Sequence, residues 1–299
     1  MLVIGSRGSQ LALWQANWVK ARLEELGSEC RIEIIHTTGD KITGVALSKV
    51  GTKGLFTKEI EEALLNGSID LAVHSLKDMP TDVPAGLTLA AIPVREDPRD
   101  AVVGKKLADL PQGARVGTSS LRRSAQLRAL RPDLQIEDIR GNVDTRLRKL
   151  DEGQYEAIML ASAGLRRLGW HDRIAELLEP DVMCPAVGQG ALAIETRDDG
   201  GKGFETCRVL DNESTRIAVT AERAVLATLG GGCQVPIGAH ATTDGEVALR
   251  GVVISPDGSQ IVRGSANGSL NDAGRLGRAL GEQLLADGGR AILDVVYGR

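Results

Sequence analysis

Aromatic side chains are nearly missing: three Trp, two Tyr and two Phe make up 2% of the 299 residues. A surface that binds single strands by stacking bases needs more rings than that. Positive charge is not in excess either, with 36 Lys+Arg against 40 Asp+Glu and a formal net charge of −4. Bulk electrostatics therefore exclude a general nucleic-acid binder, and any anion site has to be assembled locally. Cys30, Cys184, Cys207 and Cys233 form no C-x-x-C pair, and His36, His74, His171 and His240 form no H-E-x-x-H. That spacing points to free thiols in a reducing compartment and to no metal site. Long apolar runs are absent as well. The longest uncharged stretch of strong apolar character, 83–94, falls short of the roughly 17–25 residues that span a bilayer. Met1-Leu2-Val3-Ile4-Gly5-Ser6-Arg7 has neither the charged start nor the apolar run of a secretory signal. The expectation is a soluble, cytoplasmic protein with no membrane or nucleic-acid partner.

What is present is ordinary globular composition, 42% hydrophobic and 25% charged, in a chain long enough for two or three cores. The first 95 residues alternate strand and helix patterns. Leu2-Val3-Ile4-Gly5 reads as a strand, and Ser9 caps a helix whose apolar residues Leu11, Trp14, Trp18 and Leu26 recur near helical spacing until Gly27. A strand over 31–37, a helix over 56–66 and a strand over 69–73 follow. The stretch from Glu96 to Arg115 is rich in Pro, Asp and Gly and reads as a crossing between domains. The pattern then restarts: strand 115–118, helix 121–131, strand 135–139, helix 143–150, strand 157–160. Two successive β-α series predict two α/β domains. The last third differs, with a helix over 215–229, the break Gly230-Gly231-Gly232-Cys233, a hairpin around Pro256-Asp257-Gly258 and two closing helices. That is a small α+β domain.

Chemistry-bearing residues cluster just after predicted strands. Arg7 and Ser9 follow the first, and His74, Ser75, Lys77 and Asp78 follow another; Ser119, Ser120, Arg122 and Arg123 follow the strand at 115–118. Arg140 and Arg146 flank a helix start, and Arg166-Arg167 follow the strand at 157–160. Ligands of open α/β sheets bind beyond the carboxyl ends of strands. Ser119-Ser120 also open a helix, whose free N–H groups and dipole favour an anion. Each arginine taken singly fits a solvated surface charge, but the shared placement predicts a ligand with several negative charges. Asp78 fits either a loop-capping carboxylate or one that stabilises a cationic intermediate or shuttles a proton. The basic, glycine-punctuated segment 48–54 lacks G-x-x-x-x-G-K-[ST] and fits a lid over an anion or an ordinary solvated loop. Gly188-Gln189-Gly190-Ala191-Leu192-Ala193 matches G-x-G-x-x-A, but it leads into a strand and so predicts a hinge rather than a dinucleotide site. The glycines before Cys233 leave room for a covalently attached group at its thiol, or simply a buried turn residue.

These residues fall in segments that resemble the porphobilinogen deaminases, also called hydroxymethylbilane synthases, over essentially the whole chain. The segments are Ser6-Arg-Gly-Ser-Gln-Leu-Ala-Leu-Trp-Gln15, Lys49-Val-Gly-Thr-Lys-Gly-Leu-Phe56, His74-Ser-Leu-Lys-Asp-Met-Pro80, Val116-Gly-Thr-Ser-Ser-Leu-Arg-Arg123, Arg140-Gly-Asn-Val-Asp-Thr-Arg-Leu147, Pro185-Ala-Val-Gly-Gln-Gly190 and Gly231-Gly-Cys-Gln-Val-Pro-Ile-Gly238, in that order. The resemblance implies a transferase of porphyrin and haem biosynthesis that joins four porphobilinogen molecules head to tail, releasing ammonia. It implies a covalent dipyrromethane cofactor held by a thioether, which falls on Cys233. The catalytic aspartate falls on Asp78, with Lys77 and Arg7 beside it in the catalytic set. The cofactor contacts fall on Lys77, Asp78, Thr118, Ser119, Ser120, Arg122, Arg123, Arg140 and Gly141. The substrate contacts fall on Arg7, Ser9, Arg140, Arg146, Arg167 and Gln189, and the active-site loop residues on Lys49, Lys53 and Phe56. No metal is implied, and the working form is a monomer. The implied architecture is two α/β domains like type II periplasmic binding proteins, 1–95 with a return segment 191–210 and 96–190, followed by a cofactor-anchoring α+β domain, 211–299. Without the chemistry, the same first two domains would make an anion-binding module.

Overall fold

The computed structural model describes residues 1–41, 55–231 and 235–298. They divide into two compact units, 1–96 with 191–216, and 97–190 with 217–299. Strands and helices are numbered along the chain.

The first unit contains β1 (Leu2–Ser6), α1 (Gln10–Glu25), β2 (Cys30–Ile34), the short α2 (Thr38–Lys41), α3 (Lys58–Leu65), β3 (Leu71–Ser75), β4 (Leu87–Ala91), β10 (Leu192–Arg197) and α7 (Lys202–Cys207). Its five-stranded sheet runs β2-β1-β3-β10-β4. β1 lies parallel to β2 and β3, whereas β10 enters antiparallel to both β3 and β4. α1 forms where expected. The Ser9 hydroxyl accepts from the Ala12 N–H at 3.3 Å, satisfying one of the open donors at the helix start, and Gly27 turns the chain at φ +84°. The buried stripe Ala16, Val19 and Leu23 packs on Leu2, Ile4, Leu71 and Val73 of the sheet. Each buried Val, Leu or Ile side chain among them contributes about 1.5–3 kcal/mol by leaving water.

The second unit contains β5 (Asp100–Gly104), β6 (Arg115–Gly117), α4 (Leu121–Leu130), β7 (Gln135–Glu137), α5 (Val143–Asp151), β8 (Ala157–Ala161), α6 (Ser162–Arg167) and β9 (Ile174–Leu178). These strands order as β7-β6-β8-β5-β9, with β5 antiparallel to β8 and β9. Both sheets therefore follow one plan: three strands in the order second-first-third, one antiparallel strand inserted, then the last. This is the arrangement of the type II periplasmic-binding-protein-like domains expected above. In each sheet the inserted strand is the one that follows a passage of the chain between units. The stretch 96–115 is consequently more than a crossing: it holds β5, whose Ala101, Val102 and Val103 are core residues. The same unit includes the residues from Ile217 onward of α8 (Glu213–Thr228), the antiparallel meander β11 (Ile237–Thr242), β12 (Val247–Ile254) and β13 (Ile261–Gly268), and helices α9 (Ala273–Leu284) and α10 (Arg290–Tyr297). One face of the meander buries Ala239, Leu249 and Val253 against Ala221 and Val225 of α8 and Leu280 and Leu284 of α9. On its other face, Val252 and Ile254 pack on Ala125 of α4 and on Cys184. No helix among the described residues is long and apolar enough to cross a membrane.

Candidate active site

In the first unit, parallel pairing of β1 with β3 sets their carboxyl ends side by side. That edge presents Arg7 and Ser9 from one strand and Ser75, Lys77 and Asp78 from the other. The Gln15 amide on α1 donates to the Ser75 hydroxyl at 2.9 Å and ties that helix to the end of β3. Asp78 closes the 3₁₀ turn Leu76–Asp78, whose Leu76 is buried while Asp78 is exposed. Among the described residues no hydrogen bond or ion pair engages its carboxylate. Arg7 is held on two sides. Its Nε donates to both Asp40 oxygens, at 3.1 and 3.3 Å, its Nη2 pairs with Asp40 Oδ1, and the Phe56 ring lies 4.2 Å from its guanidinium carbon. Asp40 also accepts from the Thr37 hydroxyl at 2.8 Å. Burial would raise the Asp40 carboxyl, but these bonds from Arg7 and Thr37 hold it below the usual carboxylate range. Beneath the same edge, the buried His74 Nε2 meets Glu195 Oε2 of β10 at 3.1 Å.

In the second unit, β6 runs parallel to both β7 and β8, so Thr118–Ser120, Arg140 and α6 with Arg167 emerge at one edge. Ser120 is the N-cap of α4, its hydroxyl 3.5 Å from the Arg123 N–H, and the Thr118 hydroxyl accepts from the Ser120 N–H at 3.2 Å. The Ser119 hydroxyl donates to the Ile139 carbonyl at 2.6 Å, which fixes the Arg140 loop against the start of α4. Gly141 follows with φ +110°, and its carbonyl accepts from Arg146 Nε at 2.8 Å. A Cβ there would stand 2.5 Å from Thr145 Cγ2. Gly141→Ala is therefore expected to cost about 1–3 kcal/mol, read as a lower urea midpoint. Arg167 is buried and donates to the Gly190 carbonyl at 2.7 Å.

Arg122 and Arg123 take a form the sequence does not suggest. Both are buried, and both grip one fully buried carboxylate, Asp100 at the head of β5. Arg122 Nη1 donates to Asp100 Oδ2 at 2.6 Å and Arg123 Nε to Oδ1 at 2.8 Å. Further donors go to the Cys184 and Met159 carbonyls, at 2.6 and 3.2 Å. The buried Gln189 completes the cluster, donating to Asp100 at 2.9 Å and accepting from Arg123 at 3.3 Å. Burial alone would raise the Asp100 carboxyl; the two guanidiniums beside it, with hydrogen bonds from Arg122 and Gln189, hold it well below the carboxylate range. Arg122 Nε is left buried with no hydrogen-bond partner.

Sequence reasoning missed the acids: Asp40, Asp100, Glu195 and Glu222. Glu222, fully buried in α8, accepts from the Gly188 and Ala241 N–H groups at 2.7 and 2.8 Å and so pins the turn carrying Gln189. The available signal was an acid set in an apolar stretch, as in Asp100-Ala-Val-Val and Ala-Ile-Glu195. The turn at Gly188 and Gly190 runs into β10 and not into a helix, which removes the dinucleotide reading. Cys30, Cys184 and Cys207 are free and buried, and burial pushes the Cys184 and Cys207 thiols up to about 12. Lys49, Lys53 and Cys233 lie outside the described residues. Among the described residues no group of three or more His, Cys, Asp or Glu could hold a metal ion. Within the second unit, arginines and hydroxyls at strand ends suit the carboxylates of a ligand; within the first, Asp78 offers an open carboxylate at its own sheet edge.

The family model "Porphobilinogen deaminase, dipyromethane cofactor binding domain" matches residues 2–203, and "Porphobilinogen deaminase, C-terminal domain" matches residues 216–286. The porphobilinogen deaminase of Syntrophobacter fumaroxidans is 54% identical over 98% of this chain and 97% of its own. That of Roseiflexus sp. strain RS-1 is 56% identical over 98% of each chain. Among solved structures, an ABC transporter periplasmic substrate-binding protein from Coxiella burnetii aligns with 70% of this chain and 91% of its own, at 13% identity and a TM-score of 0.43.

Proposed function

The chain belongs to the porphobilinogen deaminase family, and from that premise we propose which of its own residues carry the reaction. It is a transferase of tetrapyrrole biosynthesis that joins porphobilinogen units head to tail, with loss of ammonia, into linear hydroxymethylbilane. Its cofactor is dipyrromethane. The observation that carries the assignment of roles is the open Asp78 carboxylate, set at one sheet edge beside Lys77 and Arg7.

Each pyrrole ring of substrate and cofactor bears an acetate and a propionate. The donors of the second unit fit such a group: hydroxyls at the start of α4, Arg140, Arg146 and Arg167 around the neighbouring strand ends, and a buried Arg122 Nε with no partner. Cys233 would hold the cofactor by a thioether, with Ser119, Ser120, Arg122, Arg123 and Arg140 on its carboxylates. When bound, the cofactor supplies an anchored primer, which makes every coupling effectively intramolecular. Asp78 accepts the pyrrole N–H of the incoming ring and stabilises the positive charge left on that ring when ammonia departs. Lys77 and Arg7 take ring carboxylates, Arg7 with a planar fork that a lysine cannot offer. Arg140, Arg146 and Arg167 hold the lengthening chain, which gains two carboxylates with each ring. The Arg122–Arg123–Asp100 cluster keeps the start of α4 rigid. In the same reading the enzyme is a cytoplasmic monomer, and its domains run 1–95 with 191–210, 96–190, and 211–299.

The test is incubation of the purified chain with porphobilinogen. Consumption with one ammonia released per unit, and appearance of a linear tetrapyrrole, is expected; Arg140→Leu slows elongation and accumulates shorter chains. Porphobilinogen bound but not consumed would leave only an anion-binding module.

A further inference from the structure

The guanidinium of Arg7 is fixed in plane. One edge, Nε with Nη2, is closed by the two Asp40 oxygens, and one face lies against the Phe56 ring. A guanidinium presents two usable edges, and the second, formed by Nη1 and Nη2, stays directed away from Asp40. Asp40 is itself anchored: it accepts from the Thr37 N–H at 3.3 Å and from the Thr37 hydroxyl at 2.8 Å, and Thr37 is fully buried. The adjoining turn is held as well, with the Gly39 N–H on the Leu55 carbonyl at 2.7 Å and the Thr38 N–H on Glu59 at 2.8 Å. Side chains of Arg7 and Asp40 are 23% and 27% exposed, so an exposed pair of this kind adds little to stability. Its geometry nonetheless removes the rotamer freedom of a long side chain before any ligand arrives, a cost that binding otherwise bears.

We infer that Asp40 is a positioning residue for Arg7: it closes one edge of the guanidinium so that the other is presented, already ordered, to a carboxylate of porphobilinogen. This rests on the reading of Arg7 as a substrate contact. Asp40 touches no substrate atom and acts only through Arg7. The alternative physical role is competition, in which Asp40 occupies Arg7 until substrate displaces it; the two roles predict opposite signs.

The experiment is a double-mutant cycle on the holoenzyme with Arg7→Ala, Asp40→Asn and the pair, measuring kcat and KM for porphobilinogen beside the thermal midpoint. Asp40→Asn is expected to raise KM about tenfold, with kcat within about twofold, as expected when one charge-assisted contact is misdirected. Its thermal midpoint stays at the parent value, and the double variant is no worse than Arg7→Ala alone. Asp40→Glu, which keeps the carboxylate, recovers part of the loss and serves as the readout if the Asn variant folds poorly. Additive losses, an unchanged KM in Asp40→Asn, or a lowered KM overturn the positioning role while Arg7→Ala still raises KM. If Arg7→Ala itself leaves KM unchanged, the reading of Arg7 as a substrate contact fails, and the positioning role with it.

Discussion

Asp78→Asn is expected to lower turnover about 10²–10⁴-fold while leaving the fold and its thermal midpoint unchanged. The asymmetry comes from where Asp78 sits. Its neighbour Leu76 is buried and the Leu76 N–H donates to the Ala191 carbonyl at 3.0 Å, so the turn is held by backbone and core. The Asp78 side chain is exposed and engaged by no hydrogen bond among the described residues, so the amide disturbs nothing structural. In the proposed role, what it removes is the negative charge that would face a positive charge developing on the ring as ammonia leaves. Asparagine can still accept a pyrrole N–H, so substrate binding falls less than turnover. Single-turnover measurements with purified variant and porphobilinogen check this, and retention of more than half the parent rate would take Asp78 out of the chemistry.

Asp100→Asn has the opposite signature: a loss of about 3–5 kcal/mol of stability, because two buried guanidiniums are left without their counter-charge. Arg122 and Arg123 reach Asp100 from adjacent positions of α4, and Gln189 closes the remaining side. Removal of the charge thus loosens α4, the Gln189 turn and β5 together. The acid dependence follows from the same cluster. The Asp100 carboxyl lies below its unfolded-state value near 3.9, so its contribution is fully present above about pH 5 and is lost as pH falls toward the folded value. Urea unfolding at pH 7 should give a much lower midpoint for Asp100→Asn. Between about pH 5 and 2 the parent should lose stability more steeply than the variant. A midpoint within about 0.5 kcal/mol of the parent would mean that the cluster contributes nothing net.

The local elements were legible because their signals are local. Ser9 and Gly27 bracket α1, and Ser120 opens α4 just after β6, as their side chains and backbone freedom require. The inserted strands were harder to see. β10 pairs Ile194 with Val73, and β5 pairs Val102 with Met159, partners that no window of sequence contains. β5 also begins at an aspartate two residues after a proline, which reads as a loop until Arg122 and Arg123 arrive to neutralise it. The strand-end placement of the arginines was visible for the same reason as the helices, since glycine and serine punctuate each strand. Their burial was not visible, because it depends on Asp100 and Gln189 reaching them through tertiary contacts. Hence Arg122 and Arg123 looked like Arg140 in the sequence, yet only the first two are locked on a buried acid.

The central claim, a polymerising enzyme primed on its own covalent cofactor, meets its most direct test in the intact mass of the purified chain beside Cys233→Ser. The expected result is extra mass corresponding to two linked pyrrole rings in the parent and none in the variant. A bare polypeptide mass in both, even after incubation with porphobilinogen, would contradict it.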